Sequence, residues 1–441
     1  MLYTMEKLAI LGGPGSVAGD DRDLFAWPIV TKEDEEAVLD VIRRGAMSAL
    51  DVTLAFEDEF KKWQGAKYAL GYNSGTSAIH GALFGCKIGR GDEVVCISPV
   101  YWASVLPVFS FGAVPVFADI LPNTLCIDPA DFERKITPKT KAVIAVHNFA
   151  YPAEMDEITA IAKKYNVKVI EDVSHAQGGL YKNKKLGTFG DVAAMSLMSG
   201  KSLACGEAGM LTTDDTEIYE RALAYGHYER YDAKKLQTGY LREFAGLPLG
   251  GHKQRMHQAS SAMGRVQLRS YDERAAEIRR AMNYFWDCLE GVPGIRAHRT
   301  DESKGSTMGG WYAAHGLYVP EELDNLSIGR FCRAVAAEGA LCSPGINAPL
   351  HLHPLLFNCD VYGDKKPTRT AFSERDPKDP EGSLPVSEAV NSRTYYVPWF
   401  KKYKPDQIEK YAKAFRKVCE NFGELTEGDE KNPGGGRYFS F

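Results

Sequence analysis

The sequence predicts an α/β protein with a mostly parallel sheet in roughly its first 260 residues and a smaller α+β domain after them. Short Val/Ile-rich runs that do not alternate with polar residues indicate strands buried on both faces. Helical patterns lie between several of these runs, as parallel strands require. The length of 441 residues fits two domains better than one.

The elements of the large domain follow from these patterns in order. A helix is predicted over 32–44, with Thr31 as N-cap and Glu35 completing a capping box. A second helix is predicted over 154–165. Strands are predicted over 94–98, 114–118, 142–146, 167–171, 193–197 and 209–213.

The rest of the chain predicts the second domain and its ends. A long helical pattern over 260–289 is expected to cross into this domain, which mixes a strand at 311–319 with a helix at 328–338. The charged, proline-containing segment 365–381 and the glycine-rich end are expected to be loops or disordered. The predicted parts are an N-terminal arm (1–30), a large domain (31–265), a small domain (266–427) and a flexible tail (428–441).

The composition limits which binding partners and which cellular compartment are expected for this protein. The net charge of −5 comes from interspersed acidic and basic residues, so neither nucleic acid nor a membrane surface is expected to bind. The nine cysteines lack CxxC spacing and mostly lie in apolar stretches, which favours a reducing, cytoplasmic location. The apolar run 8–11 is too short for a signal-peptide core or a membrane span. Small molecules are the expected partners.

Three segments carry candidate chemistry. In NSGTSAIHGAL (73–83), a turn of small residues opens a helix, where Gly75 and Thr76 could bind a phosphate or simply cap the helix. In VKVIEDVSHAQGG (167–179), a strand ends in Glu171 and Asp172, and a carboxylate at that edge can hold a cofactor or cap the next turn.

The third segment, MSLMSGKSLACGEAGML (195–211), places Lys201 among small residues between two apolar strands. A lysine there is placed for a Schiff base, because burial lowers the pKa of an amine and frees its lone pair. Taken alone, such a lysine would be a surface lysine in most proteins.

Together these segments resemble the DegT/DnrJ/EryC1/StrS family of sugar aminotransferases, a branch of the fold-type-I pyridoxal-phosphate (PLP) enzymes. The resemblance covers roughly 27–267 and includes GDEVV, PVYWAS, FGAVPVFADI and ITPKTKAVIAVHNF. Asp172 and Lys201 are 29 residues apart, and Ser196 lies five residues before the lysine, as in the family.

The resemblance implies the fold, the cofactor and the roles of several residues. The fold would be a large domain with a mostly parallel seven-stranded sheet between helices, plus a smaller α+β domain at the C-terminus. Lys201 would bind PLP as a Schiff base and act as general base, and Asp172 would keep the pyridine nitrogen protonated so that the ring accepts electrons. The other implied cofactor contacts are Gly75, Thr76 and Ser196 at the phosphate, and Tyr101 and His175 at the ring.

Further positions are assigned from weaker matches. GHKQR stands where the family has a GYNxR motif, so Lys253 replaces an asparagine that reaches the PLP phosphate of the neighbouring subunit, and it could serve the same phosphate. Arg255 matches the arginine of this motif and is assigned to the donor carboxylate, and His351 is assigned to the substrate. His351 and His353 have a spacing that could ligate a metal, but no third ligand is evident and no metal site is expected.

The implied function is amino transfer from glutamate or glutamine to a nucleotide-linked keto-sugar or a free ketocyclitol, with ping-pong kinetics in a homodimer. The opening LAILGGPGS followed by WPI resembles cyclitol members, which favours the ketocyclitol. Alternatives are another PLP reaction such as dehydration, and a non-catalytic sensor of PLP or sugar. Related dehydratases have histidine at the position of Lys201, and the intact Lys201, Asp172 and Ser196 count against a sensor. Ala150, where glycine is usual, and the long segment before GLPLGG leave the substrate open.

Overall fold

The computed structural model describes residues 6–19, 21–373, 376, 379–436 and 438. Its main sheet has the strand order β1-β9-β8-β5-β4-β2-β3. These strands are β1 (Tyr68–Tyr72), β2 (Glu93–Ile97), β3 (Val114–Ala118), β4 (Thr140–Val146), β5 (Lys168–Asp172), β8 (Val192–Ser196) and β9 (Gly209–Thr213), with the small hairpin β6 (Leu180–Tyr181) and β7 (Lys184–Lys185) beside them.

The main sheet confirms the predicted fold class. Strands β2, β3, β4, β5 and β8 pair in parallel, whereas β9 runs antiparallel to both β1 and β8. The side chains of β2, β3 and β9 are buried along their whole length, as the uninterrupted apolar runs predict. The strand that those runs did not reveal is β1, which leads directly into the Gly75 segment.

Helices cover the sheet and form much of the second domain. They are α1 (Arg22–Phe25), α2 (Lys32–Arg43), α3 (Asp51–Gln64), α4 (Gly75–Gly85), α5 (Pro129–Lys135), α6 (Met155–Tyr165), α7 (Thr216–Gly226), α8 (Gly239–Arg242), α9 (Gln258–Arg269), α10 (Tyr271–Asp287), α11 (Ile328–Ala337), α12 (Pro354–Asn358), α13 (Pro385–Ala389) and α14 (Pro405–Glu420). No described helix is long and apolar enough to span a membrane.

Two details of the predicted helices were wrong. Thr31 does cap α2, but the capping box is completed by Asp34, whose carboxylate accepts a hydrogen bond from the Thr31 N–H at 2.8 Å, and not by Glu35. The long helix expected over 260–289 is two helices that meet at Ser270. The break lets α9 pack on α2 and α3 while α10 packs on α14.

The small domain is built on a second, antiparallel sheet of β10 (Ile295–Ala297), β11 (His315–Tyr318), β13 (Thr394–Tyr396) and β12 (Ser343–Pro344), in that order. The strand predicted from residue 311 begins only at His315. Trp311 and Ala313 have φ values of 56° and 53°, and this left-handed backbone is incompatible with an extended strand. The irregular turn places Tyr312 beside Lys201, as described below.

The two segments predicted as loops or tails make specific contacts where they are described. In the first segment, the Asp379 carboxylate lies 2.7 Å from the Lys135 amine. The Gly329 N–H donates to the Asn432 carbonyl at 3.2 Å. Residues 374, 375, 377 and 378 of the first segment, and 437 and 439–441 of the tail, lie outside the described residues. The three boundaries between the four predicted parts remain predictions.

Candidate active site

The sheet brings three of the predicted site residues, Asp172, Ser196 and Lys201, to one edge. Asp172 is the last residue of β5 and pairs in register with Ala194 of β8, two residues before Ser196 at the end of that strand. Lys201 follows five residues later. Because β5 and β8 are parallel, their carboxyl ends form the kind of edge where such sheets bind ligands.

The N-terminus of α4 forms a cradle against the end of β8. The Ser74 side chain caps α4 by accepting from the Ser77 N–H, whereas the N–H groups of Gly75 and Thr76 have no acceptor within the helix. A Cβ at Gly75 would lie 2.6 Å from the Cβ of Ser196, so only glycine lets the helix approach the strand this closely. Unpaired helical N–H groups beside a serine hydroxyl suit a phosphate.

We predict that Gly75→Ala weakens cofactor binding about tenfold or more, because relieving the clash with Ser196 must move the helix N-terminus. Equilibrium titration of cofactor-free protein with PLP measures the effect. Gly85→Ala is the matched control: it crowds the Ile218 side chain at the far end of the same helix and should leave PLP affinity unchanged. Equal losses in both variants would contradict the cradle.

The carboxylate of Asp172 is buried and oriented. Its Oδ2 accepts a hydrogen bond from the Ser104 hydroxyl at 2.6 Å, and its Oδ1 accepts one from the Ser174 N–H at 3.0 Å. The side-chain hydroxyl of Ser174 in turn accepts a hydrogen bond from the Ser196 N–H at 2.9 Å. Asp172 and Ser196 are therefore held in one hydrogen-bonded arrangement.

The neighbouring acid, Glu171, has a structural role on the opposite face of β5. Its carboxylate contacts His147 Nε2 at 3.1 Å and accepts hydrogen bonds from the N–H groups of Gly187, Phe189 and Gly190. Burial acts to raise the pKa of Glu171, but these hydrogen bonds outweigh it and the pKa is lowered. Alternation along the strand thus separates a structural carboxylate from a site carboxylate.

Lys201 has the environment that a Schiff-base lysine needs. Its side chain is 8% exposed, and burial lowers the pKa of its amine to about 8, although the charge of Asp172 acts in the opposite direction. The Nζ atom lies 4.0 Å from the centroid of the Tyr312 ring. A substantial fraction of this amine is therefore neutral near pH 8, unlike that of a surface lysine.

His175 lies beside the same lysine and is neutral. Its Nδ1 accepts a hydrogen bond from the Phe149 N–H at 3.2 Å, and its ring centroid is 4.7 Å from that of Tyr312. Burial, with the charge of Lys201, holds the pKa of His175 well below its usual value.

Ala150, where the family has glycine, adopts a φ of 70°, the left-handed conformation that glycine adopts most easily.

Three predicted site residues are partly or largely exposed to solvent. Tyr101 is 39% exposed, with its ring 5.2 Å from that of Trp102. Lys253 is exposed, which leaves it available to a neighbouring subunit. The Arg255 guanidinium forms an ion pair with the carboxylate of Glu229 at 3.7 Å. Their proposed roles remain predictions.

His351 is not brought to the surface of this site. It is fully buried, its Nδ1 lies 2.6 Å from the Ser98 hydroxyl, and its Nε2 lies 3.2 Å from Glu388. Both ring nitrogens thus have protein partners, so its placement gives no support to a substrate role. His353 caps α12 through a hydrogen bond from the Leu355 N–H. Within the described ranges, no cluster of three His, Cys, Asp or Glu side chains is arranged to hold a metal ion.

An aromatic cluster around Lys201 was not predicted from the sequence. Tyr312 packs edge-on against Trp399, and Trp399 lies 5.9 Å from Trp27 of the N-terminal arm. The Lys401 amine lies 3.0 Å from the Trp399 ring centroid and is 5% exposed. Trp399 was not among the predicted site residues, and its contact with Trp27, far away in the chain, had no local signal in the sequence.

We predict that Lys401→Met stabilises the fold in a pH-dependent way. Burial lowers the pKa of Lys401 to about 6, whereas an unfolded lysine titrates near ~10.4. Between these values the unfolded chain binds more protons than the folded chain, so wild-type stability rises with pH from about 6 to about 10. The advantage of the methionine variant should be greatest near pH 6 and shrink toward pH 10.

Thermal unfolding of both proteins across this range tests the prediction. Lys417→Met is the matched control, because the buried amine of Lys417 lies 3.0 Å from the buried carboxylate of Glu338. Removing that partner leaves an uncompensated charge and should destabilise the protein. A Lys401→Met advantage that does not change with pH would contradict the argument.

A buried amine of lowered pKa, an oriented carboxylate at the strand edge and a phosphate cradle are the parts that PLP requires. The environments of Lys201 and Asp172 and the close Gly75–Ser196 contact have these features. The arrangement defines a PLP-dependent enzyme.

Residues 28–416 match the model of the DegT/DnrJ/EryC1/StrS aminotransferase family. The match covers most of the chain, so the protein belongs to this family and is a PLP-dependent aminotransferase. The resemblance read from the sequence is confirmed.

Similar proteins agree with this class. The chain is 29% identical over 432 residues to the L-glutamine:scyllo-inosose aminotransferase of Streptomyces griseus, covering 95% of this chain and 99% of that one. The crystal structure of an aminotransferase from Psychrobacter cryohalolentis has a TM-score of 0.77 at 27% identity, covering 91% and 100% of the two chains. The fold is also shared with the E. coli GDP-4-keto-6-deoxy-D-mannose-3-dehydratase with bound hydrated PLP, with a TM-score of 0.74 at 20% identity over 89% and 100%.

Proposed function

We propose that this protein transfers an amino group from glutamine or glutamate to a ketone-bearing cyclitol or sugar, with a free ketocyclitol favoured over a nucleotide-linked sugar. The observation that carries the proposal is the buried amine of Lys201, whose pKa is lowered to about 8 beside Asp172. Donor and acceptor would occupy the same site in turn, giving ping-pong kinetics.

The residues divide the work by their chemistry. PLP, when bound, supplies an electron sink for the pair left behind when the Cα proton of the donor is removed. The neutral Lys201 amine would take that proton and return it during the acceptor half-reaction. Asp172, held by Ser104 and Ser174, would keep a proton on the ring nitrogen. The free N–H groups of Gly75 and Thr76 would hold the phosphate.

Glutamine and a ketocyclitol are proposed from likeness to the Streptomyces griseus enzyme, whose name gives glutamine and scyllo-inosose. The partly exposed rings of Tyr312, Trp399 and Trp27 are consistent with an acceptor whose C–H face packs on aromatic side chains. The second candidate is dehydration, since the fold is shared with a dehydratase. Lys201 stands where related dehydratases have histidine, which favours transamination.

The first test is the visible absorbance of the PLP-loaded protein before and after adding glutamine or glutamate. Loss of the band of lysine-bound cofactor, with release of the matching keto acid, is the expected result. Donors that leave the band unchanged, while a deoxygenated sugar forms from a keto-sugar substrate, would favour the dehydratase. α-¹⁵N-labelled glutamine offered with scyllo-inosose and with a nucleotide-linked keto-sugar would then identify the acceptor by mass spectrometry.

A cytoplasmic homodimer is also proposed. All nine cysteines are free thiols, as in proteins of a reducing compartment. Apolar side chains from α2, α3 and the 240–250 region are exposed, including Ile42 (53%) and Leu247 (74%), and a partner subunit could cover them.

Lys253 would then reach the phosphate of the neighbouring subunit, and Lys253→Ala should weaken PLP binding without changing the mass measured by light scattering. A monomeric mass would contradict the dimer.

A further inference from the structure

The N-terminal arm is anchored to the small domain by a buried carboxylate. Glu338, at the C-terminal end of α11, is fully buried and accepts hydrogen bonds from the Ala9 N–H at 2.8 Å and the Ser16 hydroxyl at 2.8 Å. The Lys417 amine contacts the same carboxylate and donates to the Pro14 carbonyl at 2.9 Å. The LAILGGPGS segment thus wraps a charged pair of the small domain.

A second set of contacts fixes the arm farther along. The Lys401 N–H donates to the Leu24 carbonyl at 2.7 Å, and the Phe25 ring lies 5.6 Å from those of both Phe400 and Tyr411. Asp23 forms an ion pair with Lys404. This part of the arm therefore follows the segment before α14 and the helix itself.

Beyond these anchors, the arm reaches the backbone of the site lysine. The Trp27 indole N–H donates a hydrogen bond to the Lys201 carbonyl at 2.8 Å. The Lys201 N–H in turn donates to the Met198 carbonyl at 2.8 Å, so this residue is held by hydrogen bonds at both its N–H and its carbonyl. The Trp399 indole donates to the Gly310 carbonyl at 3.1 Å, which fixes the ring that packs on Trp27 and Tyr312.

We propose that Trp27 is a positioning residue for Lys201. The N-terminal arm, which we call the strap, is fixed to the small domain and holds the backbone carbonyl of Lys201 through the Trp27 indole. The Lys201 amine lies between a Tyr312 ring of the small domain and the Asp172 edge of the sheet. The burial of this amine depends on the position of the Lys201 backbone. Without the indole N–H, the carbonyl would turn toward water and the amine would gain solvent access.

This inference rests on the proposed role of Lys201, and its test reads the amine directly. Cofactor-free Trp27→Phe protein is mixed with PLP, and the rate at which the visible band appears is measured against pH. Because only the neutral amine reacts, the midpoint of this profile reports its ionisation. Phenylalanine keeps a ring but removes the N–H, and we expect the midpoint to move up by about one pH unit, a roughly tenfold slower reaction at neutral pH.

Trp63→Phe is the matched control, because Trp63 also donates an indole hydrogen bond, to Asp272 at 2.9 Å on the surface. Its midpoint should equal that of the wild type. If Trp27→Phe fails to fold, replacing Trp27 by β-(3-benzothienyl)alanine removes the N–H with the ring shape kept. A Trp27 variant with a wild-type midpoint would overturn the strap while leaving the proposed function intact. Wild-type protein that forms no band with PLP would instead overturn the proposed function.

Discussion

Lys201→Ala is expected to lower turnover by about 10²-fold or more, the contribution typical of a positioned proton-transfer group, and to abolish the visible band that PLP forms with the protein. The fold should survive, because the Lys201 amine loses a contact with the Tyr312 ring and forms no ion pair among the described residues. Amino transfer from glutamine to a keto acceptor, with circular dichroism as the check on folding, measures both parts.

Two further variants test whether the loss of activity in Lys201→Ala is due to this particular amine. Lys201→Arg keeps a positive charge but cannot lose its proton at usable pH, so it should be as inactive as the alanine variant. Lys185→Ala removes another lysine whose pKa is lowered by burial, one that lies over the Trp63 ring, and should retain activity. Substantial turnover by Lys201→Ala would show that another lysine carries the cofactor.

Asp172→Asn is expected to lower kcat by about 10²- to 10⁴-fold, which is the typical contribution of a positioned acid or base to the rate. The amide oxygen can still accept a hydrogen bond from the Ser174 N–H, and the amide N–H can donate to the Ser104 hydroxyl, which can also accept, so the local geometry should persist. It cannot keep a proton on the ring nitrogen, and the cofactor loses its capacity to accept electrons. Single-turnover loss of the visible band with glutamine measures the affected step.

The adjacent acid provides the opposite result. Glu171→Gln should cost about 1–3 kcal/mol of stability, because a buried carboxylate that accepts several hydrogen bonds is replaced by an amide that satisfies fewer. Activity per folded molecule should remain near that of the wild type. If Glu171→Gln lost turnover and Asp172→Asn lost only stability, the two carboxylates would have to exchange roles.

Much of this site could be predicted because its signals are local. An apolar strand followed by a carboxylate, and a lysine five residues after a strand-end serine, are short patterns, and the register between β5 and β8 then brings Asp172 and Ser196 together. The same locality explains the errors at Glu35 and at residue 311. Periodicity reports which face is buried, but it does not show which of two acids closes a cap or where a left-handed residue ends a strand.

The sequence by itself determined the fold class and the family, and it pointed to Lys201, Asp172, Gly75 and Ser196 as the proposed site residues, because these depend on hydrophobic runs and on spacing within short segments. Only the tertiary structure decided that Trp27 holds Lys201 across 174 positions, and that His351 is enclosed by Ser98 and Glu388. Partners so distant in the chain leave no periodic trace in the sequence. They become neighbours only when the sheet edge, the small domain and the arm pack together.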